Sequence, residues 1–244
     1  MPSIQGSTVL IFGGSSGIGY GVAAKCLTEG AKVHIVSSNA ERIAKSVAGL
    51  KGESPGFEVQ GHVLDLSTKD VERGLEQVLS AVGQIDHIVY TAGDSLALQP
   101  LDTIDLEAIQ RAGHIRFAVP LLLAKLAPRF LTPGYKSSIT LTTGSGSQKA
   151  FPGWSLMAGY LTGLHGLTRN LALDLKPLRV NLVSPGVVET PLWGADGVPE
   201  DFKNGTTLGK VGVSEEVAEA YVYLMKDTNA TGSCVSTNSG SLLM

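Results

Sequence analysis

Cysteine, net charge and long apolar runs are all scarce in these 244 residues. Only Cys26 and Cys234 are present. They are too few and too far apart for a disulfide framework, which excludes a small scaffold stapled by bridges. The expectation is two reduced, partly buried thiols. Charged residues make up 17% of the chain and the net charge is −3, so there is no basic footprint for DNA, RNA or an anionic membrane. No uncharged apolar stretch approaches the roughly 18 residues of a membrane span. Residues Met1 to Gly6 carry no basic run followed by an apolar one, so no secretory signal is read there. These absences together lead to the expectation of a reducing, cytoplasmic setting. With 43% hydrophobic residues the chain reads as an ordinary globular protein, long enough to bury one sizeable core.

What is present is an alternation of short apolar runs with longer helical patterns. Strands are expected at Thr8–Phe12, Lys32–Ser37, Glu58–Leu64, Asp86–Tyr90, Ser138–Thr142, Arg179–Val183 and Ser233–Thr237. Helices are expected at Gly17–Glu29, Ala40–Ala48, Lys69–Val82, Leu106–Leu131, Gly153–Leu175 and Glu215–Met225. The segment from Gly194 to Gly212 has loop-like composition. Strands apolar on both faces, each followed by a helix, predict a doubly wound α/β fold of Rossmann type, with a parallel sheet covered on both sides. No repeat or linker interrupts residues 1–244, so a single domain is expected.

The first strand runs into Gly13-Gly14-Ser15-Ser16-Gly17-Ile18-Gly19 and then a helix. Glycines there let the backbone approach a pyrophosphate, and the helix N-terminus favours its charge. A glycine motif alone is weak, but strand-turn-helix context strengthens it. About 20 residues on, an NAD site places an acid on the ribose 2′-hydroxyl. Here the second strand ends in Ser37-Ser38-Asn39, with Arg42 following. No carboxylate repels a 2′-phosphate, and hydroxyls, an amide and a guanidinium can bind one. The expectation is NADP(H), against the plain alternative that Arg42 is a solvated helix residue.

These motifs resemble the short-chain dehydrogenase/reductase family over nearly the whole length. The resemblance extends to Asp65-Leu66, which in the family lies beside the adenine, and to Thr91-Ala92-Gly93, the counterpart of its Asn-Ala-Gly turn. It includes Gly166-Leu-Thr-Arg-Asn-Leu-Ala-Leu-Asp-Leu175 and Arg179-Val-Asn-Leu-Val-Ser-Pro185-Gly186, followed by Val188 and Thr190. The Pro-Gly segment and Thr190 are thereby implied to meet the nicotinamide and its neighbouring phosphate.

The family's proton chemistry uses Asn, Ser, Tyr and Lys. Here the matching positions are His114, Gly144, Met157 and Leu161, so all four are changed. Met157 and Leu161 share a helix face and are expected to wall the nicotinamide. Tyr160 is the obvious substitute acid, but its partner four residues on is Leu164, not Lys, so a packing role is favoured. Gly159, Gly163 and Gly166 each lower helix propensity by about 1 kcal/mol, which points to close packing against another element or subunit. Trp154 lies where a substrate could stack.

The candidates left for chemistry are Asp94, His114 and Arg116. His114 and Arg116 are two apart on one helix and face differently. The chain is also similar to fungal family members without the tetrad, NADPH-dependent reductases that act on an iminium-type intermediate and guide a cycloaddition. In them an acid and an Arg on the long helix are expected to serve instead. Asp94 and Arg116 stand at matching places. Two functions follow as expectations. One is an NADP(H)-dependent reductase of an imine, iminium or activated alkene. The other is a nucleotide-binding sensor or scaffold without turnover. The substrate is expected to be a small molecule, with no metal, nucleic acid or membrane, and the resemblance implies a homodimer or homotetramer.

Overall fold

The computed structural model describes residues 2–96, 98–194 and 196–244. In chain order the strands are β1 Thr8–Phe12, β2 Lys32–Ser37, β3 Val59–Val63, β4 His87–Tyr90, β5 Ser138–Thr142, β6 Arg179–Pro185, β7 Val188–Glu189, β8 Gly212–Val213 and β9 Cys234–Thr237. The helices are α1 Gly17–Thr28, α2 Ala40–Glu53, α3 Val71–Val82, α4 Leu106–Gly113, α5 Val119–Leu126, α6 Ser155–Asp174, α7 Glu200–Asn204 and α8 Ser214–Lys226. Seven strands form one sheet in the order β3-β2-β1-β4-β5-β6-β9. Every neighbouring pair in it is parallel. β7 and β8 pair apart from it. The strand order reverses between β1 and β4, and a sheet of this kind opens a ligand crevice at the C-terminal ends of those strands.

Alternation along β1 shows how the sequence builds both faces. Val9 and Ile11 point into a core packed by α1, α2 and α8, through Val22, Leu27, Leu50 and Tyr221. Leu10 and Phe12 point into the opposite core, with Leu75, Leu79, Leu123 and Leu164 from α3, α5 and α6. That two-residue period on a doubly covered strand requires apolar residues throughout. The guanidinium of Arg179, 2% exposed, donates to the carbonyls of Leu224 and Met225 at 2.6 and 2.8 Å and to Tyr135 at 2.7 Å. It thereby ties β6 to the C-terminal turn of α8, where orphan carbonyls favour a cation.

The expected continuous helix from Leu106 to Leu131 is interrupted. α4 gives way to a π-helical turn at His114–Ala118, α5 resumes, and a 3₁₀ turn at Ala127–Arg129 ends it. Pro120 and Pro128 account for the interruptions. Pro120 lacks an N–H and its ring clashes with the carbonyl four residues back in a straight helix, so the wider turn before it relieves the clash. Gly194–Gly212 is not entirely loop, since it contains α7. Cys26 is buried, but Cys234 is exposed because β9 is an edge strand. Burial pushes the Cys26 thiol up to about 12. No helix among the described residues is long and apolar enough to cross a membrane.

Candidate active site

A cleft of about 510 Å³ opens at the C-terminal ends of β1, β4, β5 and β6. One end of it is the turn between β1 and α1. Gly13 has φ +84, and a Cβ there would stand 2.7 Å from the Ala92 nitrogen. At Gly19 a Cβ would come within 2.3 Å of the Gly13 carbonyl. Only glycine permits these approaches. Ser16 is the N-cap of α1 but makes no side-chain cap bond, so first-turn N–H groups face the cleft without a side-chain partner.

Beside this turn is a polar cradle. Arg42 donates from Nε to Ser15 Oγ and from Nη2 to Ser37 Oγ, both at 3.1 Å. Ser15 Oγ in turn donates to Ser37 Oγ at 2.8 Å, and Ser38 Oγ lies 3.5 Å from Nη2. Asn39 is not part of the cleft lining. Its side chain accepts from the Arg42 N–H at 2.8 Å and caps α2, the ordinary use of Asn before a helix. Further along the cleft come Asp65 and Leu66, then Thr91, Ala92 and Gly93. Hydrogen bonds from the Ser67 hydroxyl and N–H hold the Asp65 carboxyl below its usual range. Thr91 donates to the Phe12 carbonyl at 2.9 Å, joining β4 to β1. Pro185, Gly186, Val188 and Thr190 line the opposite wall with Gly17 and Ile18.

At the reaction end the expected positions separate. Gly144 and Leu161 line the cleft. Met157 does not, contrary to the expectation of a paired apolar wall: it is 0% exposed and turned into the interior. His114 is likewise absent from the lining. Its Nε2 lies 2.9 Å from the Leu66 carbonyl, so the ring donates there and ties the π turn to the segment after β3. The hydroxyl of Tyr90 holds the same turn from the other side, donating to the Ile115 carbonyl at 2.6 Å. Tyr160 donates to the Ile109 carbonyl at 2.8 Å and is a packing residue between α6 and α4. Gly163 takes the Phe117 ring against its backbone, whereas Gly159 and Gly166 meet nothing within 4 Å in this chain.

Arg116 reaches the cleft; Asp94 does not. The guanidinium packs on Gly93, where a Cβ would be 2.8 Å from Nη1. Its Nε donates to Asp94 Oδ1 at 3.0 Å, and Nη2 donates to the Asp94 carbonyl. The pair is partly buried, at 15% and 32% side-chain exposure. Asp94 itself faces a smaller recess with Ser67, Glu107 and Arg111. The π turn permits this arrangement, since it sends His114 towards Leu66 and Arg116 towards Gly93.

Trp154 lines the cleft as its position suggested, and three aromatic residues not anticipated from sequence join it: Phe151, Trp193 and Phe202. Phe151 and Trp154 pack with ring centroids 5.1 Å apart, and Trp193 and Phe202 at 5.2 Å. Ser145, beside Gly144, also lines the cleft. The charged residues on the cleft wall, among the described residues, are Arg42, Asp65 and Arg116. The C-terminal segment braces both aromatic walls. Lys149 donates to the Ser241 carbonyl at 2.8 Å, and Thr207 and Leu208 donate to the Ser239 carbonyl at 3.2 and 3.3 Å. Leu243 and Met244 remain 81% and 63% exposed in this chain.

Comparison with known proteins agrees with this geometry. An SDR-like Rossmann domain matches residues 3–244. The short-chain dehydrogenase/reductase malC of Malbranchea aurantiaca is 41% identical over 98% of this chain and 96% of its own. The solved structure of this MalC reductase/Diels-Alderase superposes with a TM-score of 0.93, over 99% of this chain and 97% of that one at 40% identity. The short-chain dehydrogenase/reductase ATR9 of Stachybotrys chlorohalonatus is 40% identical over the full length of both. A short-chain dehydrogenase from Burkholderia cenocepacia, solved in complex with NADP, has a TM-score of 0.88 at 27% identity and covers 98% of this chain and 99% of that one. The chain therefore belongs to the short-chain dehydrogenase/reductase family.

Proposed function

We propose that this protein is an NADP(H)-dependent reductase of a small molecule whose reducible bond is an imine, an iminium or an activated alkene. Family membership and reductase relatives support an oxidoreductase, and the Rossmann sheet implies a nicotinamide cofactor. The cleft fits one: glycines leave room at Gly13 and Gly19, an uncapped helix N-terminus faces it, and Ser15, Ser37, Ser38 and Arg42 offer donors at the 2′ side. That donor set favours a 2′-phosphate over a bare hydroxyl. Asp65, Leu66, Thr91, Ala92 and Gly93 would flank the adenosine half, and Pro185, Gly186, Val188 and Thr190 the nicotinamide half. When bound, the cofactor supplies hydride.

One observation carries the choice of bond: the reaction end has no acid. Arg116 is its one ionisable side chain among the described residues, and it is engaged by Asp94. Reducing a ketone to an alcohol needs a proton on oxygen in step with hydride, whereas an iminium, which an imine becomes by taking its proton from water before it binds, accepts hydride at carbon and needs none. An activated alkene accepts hydride at carbon as a stabilised anion and takes its proton afterwards from water. Arg116 orients the bound molecules through its place over Gly93. Asp94 serves by holding Arg116. A binding-only role is less well supported, because similar relatives are described as reductases. The test is NADPH consumption across cyclic imines, activated alkenes and simple ketones. Ketones should turn over slower by about 10²–10⁴-fold, the usual contribution of a general acid. Robust ketone reduction overturns the choice of bond, and NADPH binding without consumption on any of them favours the sensor reading. We also read the chain as a cytoplasmic homo-oligomer; its two free cysteines accord with a reducing setting, and a monomer by light scattering would overturn the oligomer.

A further inference from the structure

We infer that the molecule reduced here is a rigid, planar, conjugated ring system without an anionic group, and that Trp154 and Trp193 select it. The inference rests on the reductase reading only for where the cofactor lies. Aromatic residues are 6% of the chain and tryptophan occurs twice. Both tryptophans line the reaction end of one cleft, each paired with a phenylalanine. The pairs come from separate parts of the chain, Phe151 and Trp154 ahead of α6, Trp193 between β7 and α7 and Phe202 within α7.

Each tryptophan is held in place. The six-membered ring of Trp154 lies on the bare backbone of Gly146, where a Cβ would be 2.9 Å from it. The Trp193 indole N–H donates to the Val188 carbonyl at 3.0 Å, so its polar edge is satisfied and its ring is left for contact. Fixed ring faces favour flat, polarisable partners, through offset or edge-to-face packing. The electrostatics narrow the class further. The one cation at this end, Arg116, already has the Asp94 carboxylate as counter-charge. An anionic substrate would have to displace Asp94 or enter without a counter-ion, and burying an unpaired charge is unfavourable, whereas an iminium cation meets aromatic ring faces, which attract it.

A matched set of probes tests this without turnover: 2-naphthol, its saturated analogue decahydro-2-naphthol, and 2-naphthoate. Each is titrated by ligand-observed NMR into protein saturated with NADP⁺, after calorimetry has measured NADP⁺ binding. Failure of NADP⁺ to bind removes the reductase reading, which separates that failure from the present one. The expected result is that 2-naphthol binds about tenfold or more tighter than either comparison probe. Trp154→Leu and Trp193→Leu keep an apolar side chain but remove the flat ring face, and should collapse the planar-to-saturated ratio; Trp154→Phe should restore part of it. The inference is overturned if decahydro-2-naphthol or 2-naphthoate binds as tightly as 2-naphthol, if no probe binds, or if the leucine variants leave the ratio unchanged.

Discussion

Replacing Arg42 by Ala separates a cofactor-selecting guanidinium from a solvated one. The side chain is exposed, yet it makes hydrogen bonds to Ser15 and Ser37 with no ligand present. Both serine hydroxyls are oxygens able to turn towards a phosphate, and the guanidinium would then bond phosphate instead. A hydrogen bond to a charged group contributes about 1.5–3 kcal/mol. Exposure places Arg42 in the lower half of that range, so its loss should weaken NADPH binding by about ten- to fortyfold. NADH has no 2′-phosphate and should change by less than about threefold, within the uncertainty of neighbouring hydroxyl contacts. Dissociation constants come from the rise in nicotinamide fluorescence on binding. Ser37→Asp is the complementary change: a carboxylate within reach of Arg42 would pair with it and repel the phosphate, moving preference towards NADH. Equal loss for the two cofactors would mean that Arg42 merely supports the turn, and no loss for either would mean that the cradle is incidental.

Three further outcomes are expected. Asp94→Ala and Arg116→Ala should each slow turnover of an accepted substrate, and the double variant should be no worse than the poorer single one, with a coupling of about 1 kcal/mol or more in a double-mutant cycle; additive losses would show that the two act separately. Burial, with the Arg179 charge second, pushes the His87 imidazole down to about 4 from its ordinary 6.5. The folded state therefore resists protonation, and stability is complete above about pH 6.5 and falls as pH drops towards 4. The loss is about 2 kcal/mol by pH 5, or about 4–8 °C in Tm for a chain of this size. His87→Gln should flatten that acid limb, and a Tm in the parent that does not fall between pH 7 and 5 would refute it. Tyr160→Phe should leave kcat unchanged and cost about 1 kcal/mol of stability or less, since it removes one hydrogen bond to Ile109; a large fall in kcat would make Tyr160 the missing acid.

The β1–α1 end of the cleft was readable because each residue there answers a local demand. Gly13 and Gly19 stand where backbone meets backbone, and Ser37 and Arg42 lie five residues apart across one strand end, so sequence distance approximates spatial distance. Asn39 was misread because a residue that can bind phosphate can equally cap a helix, and the cap lies nearer. The reaction half was less legible. Met157 and Leu161 share a helix face, yet only Leu161 reaches the cleft, because the inner and outer edges of one face are distinguished by packing rather than by spacing. His114 depended on a helix assumed continuous, and a π turn leaves little mark in composition. Trp193 and Phe202 lie nine residues apart in a segment of loop-like composition. Nothing short of the folded chain brings their rings within 5.2 Å.

The π turn at His114–Ala118 has a consequence for how such a site could diverge. A turn of this kind holds one residue more than an α-helical turn. Losing a single codon there would let the segment close into an ordinary α-helical turn, with α4 and α5 keeping the faces they now present. The side chains inside the turn would be re-aimed, and a different neighbour would lie over Gly93, with no substitution elsewhere along the cleft. Helix length is thus a heritable variable of this cleft, separate from side-chain identity. Comparing relatives column by column through this helix would match residues that face different ways.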